Sequence, residues 1–444
     1  MRSVGTVAFV TLLSACSAPT FVPPEQSLPI VHGFDADAAA RGWNLLSVTT
    51  VGEPAIPRIG IESLFAVWPD GGNYPGSYWS AFRTRYGMHE APFDNDGLPL
   101  GIRPIGKYVT FDCMLCHAGT VAGKPLLGVA NSTLDVQGLL DDLGAAAKLA
   151  GVKVPVNLVH RTGAAGATDA VGMAFALGDG LYGVPAGTLN SEVGFERAPA
   201  WWQLKYKLLT FNDGSGDAPS FRTMAGTLLA FGLTIEQISS RSAEFEDIGS
   251  WILSLPDPKW PYATLDEKKW KRGQVVFDGT CATCHGTYHD GGSYPNVVVS
   301  YAEVGTDPVR TLKFRKQEVD AINSTWFGQP PMRDTDGYLA PTLVGIWARA
   351  PYLHNGSVPD LASVLDSTSR PSVWQRTGSG ELDYDVVRVG WRFTIPGERG
   401  DPDTILGRRI YDTAREGLAA TGHTYGDSLS EADRAAVIEY CKSL

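Results

Sequence analysis

The sequence Cys281-Ala-Thr-Cys-His285 repeats the pattern Cys-x-x-Cys-His that Cys113-Met-Leu-Cys-His117 shows earlier in the chain. Two thiols one helical turn apart can form thioethers with the vinyl groups of a haem, and the adjacent imidazole can bind its iron. A redox dithiol, a zinc ribbon or a short disulfide would leave the histidines unexplained. With 8 His in 444 residues, both pairs carry the histidine by accident in about 3 of 10,000 cases. The pattern therefore predicts two covalently attached haem c groups, held by Cys113, Cys116, His117, Cys281, Cys284 and His285.

Length and composition are those of a globular protein with two domains. The chain has 444 residues, of which 43% are hydrophobic and 10% aromatic, and single domains mostly hold about 100–200 residues. The large numbers of Gly (50) and Pro (29) predict many irregular connections. The formal net charge of −11 argues against nucleic acid as a partner, because phosphate binding needs clustered Lys and Arg.

The first residues resemble an export signal. A positive residue precedes the apolar run Val4–Leu13, which is too short to span a bilayer because a membrane helix needs about 20 apolar residues. Leu13-Ser-Ala-Cys16 resembles a bacterial lipoprotein cleavage box, so residues 1–16 are predicted to be a signal peptide and a lipid-bearing anchor cysteine. Ordinary cleavage near Ala15 or Ala18 is the alternative. Lipidation predicts a location in the cell envelope of a bacterium, in the periplasm or at the outer-membrane surface, with a lipid anchor as the membrane contact. Ordinary cleavage predicts a soluble periplasmic protein.

The positions of the two motifs suggest the domain organisation. We expect a mainly α fold with two cytochrome c-like haem domains and long irregular loops. Residues 60–255 would surround the first motif, and residues 260–444 would surround the second. Residues 17–59 would form a tether and an N-terminal extension.

The second domain shows helix signals at both ends. Leu265–Phe277 is a helix candidate ahead of the second motif, and Ser428–Glu431 has the spacing of a capping box that opens the final helix. In cytochromes c the first and last helices cross at a small residue, so we expect Gly273 to lie against the region of Tyr440. Cys441 is then predicted to be a buried core thiol.

Further segments resemble a known family. Leu339–Pro359 reads Leu-Ala-Pro-Thr-Leu-Val-Gly-Ile-Trp-Ala-Arg-Ala-Pro-Tyr-Leu-His-Asn-Gly-Ser-Val-Pro and resembles the signature of the dihaem cytochrome c peroxidase superfamily. Its ending, followed by Arg370-Pro371 and by Gly422-His-Thr-Tyr-Gly426, is most similar to the rubber-oxygenase-like branch. Other segments that resemble this branch are Cys116–Thr120, Gly128–Asp135, Trp201–Lys207 and Gly214–Asp217. The resemblance extends from about residue 105 to the end of the chain.

This resemblance implies that the iron at the second motif is closed, which means that protein ligands occupy both of its axial positions. The superfamily places the far-side ligand of its second haem just before the last helix, where this chain has His423. The alternative far-side ligand is His354, in the His-x-Gly segment, although the superfamily places that histidine beside the haem rather than on the iron. Met332 and His289 are further alternatives. Two histidine ligands would lower the reduction potential relative to a histidine–methionine pair, which favours oxygen chemistry over a classical peroxidase.

The first iron lacks a nearby far-side ligand in the sequence. Classical dihaem peroxidases carry a histidine shortly after the first motif, whereas here no His occurs between His117 and His160 and no Met between Met114 and Met173. The simplest interpretation is an open site on the iron at His117, because haem catalysis needs a free coordination position. A more distant residue that closes the iron is the alternative.

Aromatic residues are predicted near the first haem. An apolar pocket is expected to contain Trp201, Trp202, Phe211 and Phe221, and the first three of these would serve catalysis together with His117. Core packing, or electron relay between the haems, is the alternative role of the tryptophan pair.

Two short acidic stretches could hold Ca²⁺. They are Asn212–Asp217 and Asp334–Gly337, and some relatives carry calcium between their haems. Neither stretch matches the full EF-hand pattern, and solvated polar turns have the same composition, so both interpretations stay open.

Together the motifs and the resemblance predict a haem-dependent oxidoreductase. O₂ or H₂O₂ would react at the first haem, and the second haem would transfer electrons to or from a redox partner such as a small cytochrome. An apolar organic substrate would make the protein an oxygenase, whereas a cytochrome donor would make it a peroxidase. The alternative is a non-catalytic, lipid-anchored dihaem electron carrier, in which both irons would be closed.

Overall fold

The computed structural model describes residues 21–151, 162–177, 188–231, 233–262 and 264–444. The predicted leader with its anchor Cys16 and the histidine His160 lie outside the described residues. Among the helices that are described, none is long and apolar enough to cross a membrane.

Short helices provide much of the regular structure. Within the described residues the α-helices are α1 (Ala36–Ser47), α2 (Arg58–Glu62), α3 (Tyr78–Tyr86), α4 (Val136–Leu149), α5 (Ala170–Leu177), α6 (Phe221–Ala225), α7 (Ile235–Ser240), α8 (Ser242–Ser254), α9 (Glu267–Thr280), α10 (Ala282–His285), α11 (Tyr301–Val304), α12 (Val309–Lys313), α13 (Lys316–Asn323), α14 (Leu361–Leu365), α15 (Ile405–Arg408) and α16 (Glu431–Cys441). Turns of 3₁₀ helix are Leu64–Val67, Cys113–Leu115, Trp201–Tyr206, Gly226–Phe231, Ile346–Arg349, Ser367–Ser369 and Glu381–Asp383.

The strands form small antiparallel sheets. They are β1 (Ile56–Pro57), β2 (Ile102–Ile105), β3 (Tyr108–Phe111), β4 (Ala118–Val121), β5 (Lys124–Leu127), β6 (Thr162–Ala164), β7 (Ala167–Thr168), β8 (Leu209–Thr210), β9 (Gly216–Asp217), β10 (Val298–Ser300), β11 (Gly337–Leu339), β12 (Val373–Arg376), β13 (Tyr384–Asp385), β14 (Gly390–Trp391), β15 (Phe393–Thr394) and β16 (Ile410–Asp412). β3 lies between β1 and β2, and β12 lies between β15 and β16. The remaining strands pair two by two.

The fold is therefore mixed, with 38% helix and 14% strand, and the prediction of a mainly α chain was right only in part. Several strand pairs are joined by tight turns for which the composition gives no signal. Between β4 and β5, Ala122 and Gly123 both have positive φ angles, 52° and 75°. Such turns match the twist of the strands they join, but Asn-Gly or Asp-Gly is their usual sequence signal.

The helices α9 and α16 cross as predicted, with Gly273 at the contact. A methyl group on Gly273 would lie 1.9 Å from the Ala436 carbonyl oxygen and 2.9 Å from Cβ of Tyr440. α9 begins two residues later than predicted and continues to Thr280, immediately before the second motif. The crossing therefore sets where the second motif begins.

The start of α16 differs from the predicted capping box. The N-cap is Ser430 rather than Ser428, and its side chain accepts a hydrogen bond from the Asp433 backbone N–H at 3.1 Å. Two serines at alternate positions offer the same local signal, and the packing of the helix decides between them. Cys441 is 2% exposed, which confirms the predicted buried thiol.

The N-terminal extension includes a helix that is part of the core of the first half. α1 packs against α8, and a methyl group on Gly42 of α1 would lie 2.1 Å from the Asp247 carbonyl oxygen. Trp43 of α1 stacks on Trp251 of α8, with ring centroids 5.2 Å apart. Buried hydrophobic residues from both halves belong to one continuous core. The domain limits at 60–255 and 260–444 stay a prediction.

We predict that Gly273→Ala lowers the free energy of unfolding by about 1–3 kcal/mol, because overpacking a close contact costs about that much. Gly279→Ala in the same helix is the matched control, since nothing lies within 4 Å of its added methyl group. The control should stabilise the protein by about 0.5–1 kcal/mol through helix propensity. Urea unfolding measures both values, and equal effects of the two variants would contradict the close crossing.

Candidate haem sites

The first motif folds as a tight turn in the wall of a cavity. Cys113–Leu115 forms a turn of 3₁₀ helix. Its N-cap residue, Asp112, accepts a hydrogen bond from the Met114 backbone N–H at 2.8 Å. Cys113, Cys116 and His117 all line the cavity. Burial raises the pKa of both thiols to about 12, so neither is a free thiolate at neutral pH.

The cavity has a volume of about 180 Å³. Its wall is mostly apolar and contains few polar groups. Apolar residues of the wall include Leu134, Val136, Leu204, Phe221, Leu228, Phe245 and Ile252. A concave, mainly apolar pocket with a few polar groups is typical of a cofactor site.

His117 presents a neutral imidazole in this cavity. Its ring stacks on Trp201, with ring centroids 4.5 Å apart and the planes inclined by 14°. Burial lowers the pKa of His117 to about 4, and the nearby Pro199 carbonyl acts in the opposite direction. The Nδ1 atom makes no complete hydrogen bond to any described residue. Neutral imidazole is the form that binds a metal ion.

The predicted aromatic residues lie in two different places. Trp201 and Phe211 line the cavity, and Phe211 has a left-handed backbone with φ 66°. Trp202 lies outside the described cavity wall, and its Nε1–H donates to the Val344 carbonyl at 2.9 Å. The turn Trp201–Tyr206 therefore directs one indole to the first motif and the next indole to the second half of the chain.

The second motif follows α9 directly. α10 ends at His285, whose Nδ1 lies 2.8 Å from the Pro341 carbonyl oxygen. This hydrogen bond requires the proton on Nδ1 and leaves Nε2 able to bind a metal ion. Burial lowers the pKa of His285, and the bond to the Pro341 carbonyl opposes that effect.

His423 lies opposite His285. The two ring centroids are 6.1 Å apart, with the planes inclined by 53°. A metal ion holds an imidazole nitrogen at about 2.0–2.1 Å, so two imidazoles on opposite sides of one ion have ring centres roughly 6 Å apart. Burial lowers the pKa of His423 to about 4, and the charge of His285 lowers it further. Both rings are therefore neutral at pH 7.

The loop that carries His423 is held tightly. His423 has a positive φ of 47°, and its backbone N–H donates to the Val304 carbonyl at 2.7 Å. At Gly422, with φ 68°, a methyl group would lie 2.1 Å from the carbonyl carbon of Gly305. The Arg370 guanidinium donates to three carbonyl oxygens of this loop at 2.6 to 3.1 Å. Position 422 therefore requires glycine, and the hydrogen bonds of Arg370 hold the loop in place.

The other histidines within the described ranges have different neighbours. His354 stacks flat on Tyr338, with ring centroids 4.0 Å apart and the planes inclined by 20°. His89 has polar side chains within hydrogen-bond distance of both ring nitrogens. His289 contacts a carboxylate on the surface, and His32 contacts a backbone carbonyl. Of the candidates predicted for the second iron, the structure brings His423 to His285.

Methionines in the first cavity are residues that the sequence reasoning missed. Met173 and Met224 both line the cavity, whereas Met332 is buried outside its described wall. Thioether sulfur can bind haem iron, so Met173 and Met224 are candidates for closing the first iron. In the sequence they stand among apolar residues and look like ordinary core methionines.

Glu196 is a cavity residue with no sequence signal of its own. Burial raises its pKa to about 7 against the opposing charge of Arg310. The amide of Asn212 donates to its carboxylate at 3.2 Å, and Nε of Arg310 lies 3.4 Å away. A carboxyl group that titrates near neutral pH inside a cofactor pocket is suited to proton transfer. Single glutamates in loops are usually solvated, so no pattern distinguishes this one.

The acidic stretches considered for Ca²⁺ form ion pairs with arginine. Asp213 binds Arg310 at 2.8 Å, and Asp334 lies 3.3 Å from Arg315. Across the described ranges, no group of three or more His, Cys, Asp or Glu side chains is arranged to hold a metal ion. Calcium sites also use carbonyl and amide oxygens, so calcium binding stays a prediction.

Both sites have properties that fit haem c. At the first site two thiols and an imidazole line one cavity. At the second site two partly buried imidazoles stand at the spacing of a shared metal ion, and one of them, His285, directly follows a second pair of thiols in the sequence. The Nδ1 atoms of His117 and His423 are buried without a partner among the described residues, and metal-bound histidines commonly use that nitrogen for a supporting contact.

Comparison with protein families identifies one segment. Residues 337–375 match the family model described as RoxA-like, cytochrome c-like. A cytochrome c-like domain implies covalently bound haem c. The match also indicates a haem-based, oxidoreductase-like protein.

The curated relatives carry no assigned activity. Uncharacterized protein y4iM of Sinorhizobium fredii is 27% identical over 258 residues, which are 51% of this chain and 56% of the relative. Uncharacterized protein y4iJ of the same organism is 24% identical over 259 residues, which are 43% of this chain and 41% of the relative. The chain thus spans about half the length of the curated relatives it matches.

A solved structure of hydrazine synthase from Kuenenia stuttgartiensis aligns with 57% of this chain and 73% of its own chain. The sequence identity is 16% and the TM-score is 0.26. A score this low supports no statement about fold or activity.

We predict that Arg370→Gln loosens the loop that carries His423. The variant loses charged hydrogen bonds to buried carbonyl groups, and each such bond is worth about 1.5–3 kcal/mol. We expect a lower free energy of unfolding and a high-spin fraction in the spectrum of the second haem. Arg392→Gln is the control, because Arg392 is exposed and its ion pair with Asp385 measures 3.7 Å. Equal spectra for the two variants would remove Arg370 from any role in positioning His423.

Proposed function

We propose that the chain is a dihaem c-type oxidoreductase in which O₂ or H₂O₂ reacts at the first motif and the second motif transfers electrons. The observation that carries this proposal is the difference between the two motif histidines. His285 faces His423 at 6.1 Å, whereas no second histidine lines the described wall of the cavity at His117. A free coordination position permits catalysis, and a six-coordinate iron mainly transfers electrons.

The haem groups supply the redox chemistry when bound, and the protein holds, orients and encloses them. The residues proposed to hold the first haem are Cys113, Cys116 and His117, and those proposed for the second are Cys281, Cys284, His285 and His423. His354 would then serve beside the second haem rather than on its iron, since its ring packs on Tyr338.

The cavity wall supports an apolar organic substrate. Phe211 and Phe221 are part of a mainly apolar lining, which excludes water and favours hydrocarbon groups. Glu196 is the buried carboxyl group of this wall with a pKa raised to about 7 by burial. Its carboxyl oxygens could hold a proton at neutral pH and release it during turnover. The apolar lining favours the oxygenase over the peroxidase within the proposed class.

A short route supports electron transfer between the motifs. Trp201 stacks on His117, and the indole of the next residue, Trp202, donates to the Val344 carbonyl. Val344 lies three residues beyond Pro341, whose carbonyl binds His285. The route between the two motif histidines thus consists of one ring stack, two hydrogen bonds and the short covalent segments that join them.

The cell envelope is the proposed location. The supporting observations are the leader-like start with Cys16 and the two attachment motifs, because haem c is attached outside the cytoplasm. A lipid anchor at Cys16 would be the membrane contact, and a small cytochrome or similar protein would be the redox partner. Nucleic acid is an unsuitable partner for a chain with a formal charge of −11.

The second candidate function is a non-catalytic dihaem electron carrier. Met173 and Met224 favour it, because either thioether could close the first iron from within the cavity. A carrier would then have two closed, low-spin irons.

We predict that the purified protein contains one open iron. Cyanide and CO should shift the absorption and EPR signals of one haem and leave the other unchanged. Oxygen uptake with an isoprenoid would identify an oxygenase, and H₂O₂ turnover with reduced cytochrome would identify a peroxidase. If neither haem binds these ligands, but one does so in Met173→Leu or Met224→Leu, the electron carrier is correct and the enzyme proposal fails.

We predict that His423→Ala converts the second haem from low spin to high spin. The reason is the loss of the imidazole that faces His285. His354→Ala is the matched control and should leave the spin state unchanged. The reverse outcome in EPR spectra would transfer the ligand role to His354.

A further inference from the structure

A group of cationic side chains in the interior consists of Arg197, Lys207 and Arg349. Arg197 is 5% exposed and Lys207 is 4% exposed, whereas Arg349 is partly buried. Burial lowers the pKa of Lys207 to about 7, and the positive charge of Arg349 lowers it further. Burial also lowers the pKa of Arg197 to about 9, with Arg349 again adding to the effect. The positive charge of Arg349 thus acts on both of the other side chains.

None of the three cations pairs with a carboxylate among the described residues. Nε of Arg197 is buried without a partner, and Nη1 of Arg349 donates to the neutral Gln203 amide oxygen at 3.1 Å. The buried guanidinium groups of Arg310 and Arg408 behave differently, since each binds an aspartate at 2.8 to 2.9 Å. Burying unpaired charges is costly, so a bound anion would stabilise this cluster.

The cluster reaches both motifs. Arg197 lines the cavity together with His117. Pro341, whose carbonyl oxygen lies 2.8 Å from Nδ1 of His285, is followed in the chain by Thr342. Gln203, which binds Arg349, donates to the Thr342 carbonyl at 2.7 Å. The missing anion therefore borders the first cavity and also the surroundings of His285.

The backbone at Gly356 leaves space for the side chain of Arg197. Gly356 has a φ of 77°, and a methyl group there would lie 2.8 Å from Cδ of Arg197. The Arg197 backbone N–H donates to the His354 carbonyl at 2.8 Å. The His354-Asn-Gly356 segment thus positions Arg197, in addition to any role of the His354 ring.

We propose that Arg197, Lys207 and Arg349 form one carboxylate site that holds propionate groups of both haems. This inference rests on the proposed function, in which each motif carries a haem. Haem propionates are carboxylates, and planar guanidinium groups bind carboxylates through paired hydrogen bonds. Lys207 supplies a compact point charge to the same site.

Such a site couples the two redox centres electrostatically. Cations beside a haem favour its reduced form, since reduction removes one positive charge from the iron. Loss of one shared cation should therefore lower the reduction potential at both haems. Residues that bind a single haem would shift a single potential.

The test uses the full-length protein with its haems attached. Lys207→Gln and Arg349→Gln should each lower both potentials in a spectroelectrochemical titration. Lys313→Gln is the control, because it removes the same formal charge at a partly exposed position that pairs with Glu416 at 2.9 Å. Shifts no larger than those of the control, in protein with two attached haems, would overturn the shared site and leave the dihaem function intact.

Haem content separates this failure from failure of the proposed function. Pyridine haemochrome absorbance and intact mass count the haems per chain, and a count of one would overturn both proposals. If the glutamine variants fail to fold, Arg349→Lys retains the charge and removes the planar fork. Its resonance Raman propionate bending bands should shift relative to wild type, and unchanged bands would overturn the site.

Discussion

The side chain of Gln203 joins the two motifs of this protein. It is fully buried, and its amide group donates to the Thr342 and Val344 carbonyls and accepts from Arg349. A buried amide without these partners would destabilise the fold, because unsatisfied polar groups are costly in a protein interior. Gln203 therefore fixes the turn Trp201–Tyr206 against the segment that binds His285. At the start of that turn, Trp201 packs on His117 in the first cavity.

The two sites differ because different parts of the chain cover them. A loop covers His285, and the close approach at Gly422 together with the contacts of Arg370 holds His423 in place. The first site is covered by apolar side chains that leave a cavity. A loop held by buried hydrogen bonds supports one ligand geometry, whereas a cavity leaves room for a small molecule. The proposed roles, catalysis at the first site and electron transfer at the second, follow from this difference in what covers each site.

Adjacent residues carry opposite charges into the interior. Glu196 contacts Arg310 and Asn212 in the cavity wall, and Arg197 belongs to the group of cations that lack a carboxylate among the described residues. Both residues line the first cavity, so one short segment contributes a carboxyl group and a guanidinium group to the same wall. The carboxyl group is placed for proton transfer at the cavity, and the guanidinium group is placed to bind an anion between the motifs.

The sequence alone determined the features that depend on local spacing. The Cys-x-x-Cys-His motifs supply thiols and an imidazole within one turn, and Gly273 marks a helix crossing because a side chain there has no space. The hairpins and the true N-cap Ser430 escaped prediction, since tertiary packing chooses among similar local signals. Resemblance suggested His423, but only the tertiary structure brings it opposite His285, 138 positions earlier in the chain. Cations such as Lys207 look like surface residues in the sequence. Burial and the lack of a carboxylate partner among the described residues distinguish them, and both properties arise only when distant segments pack together.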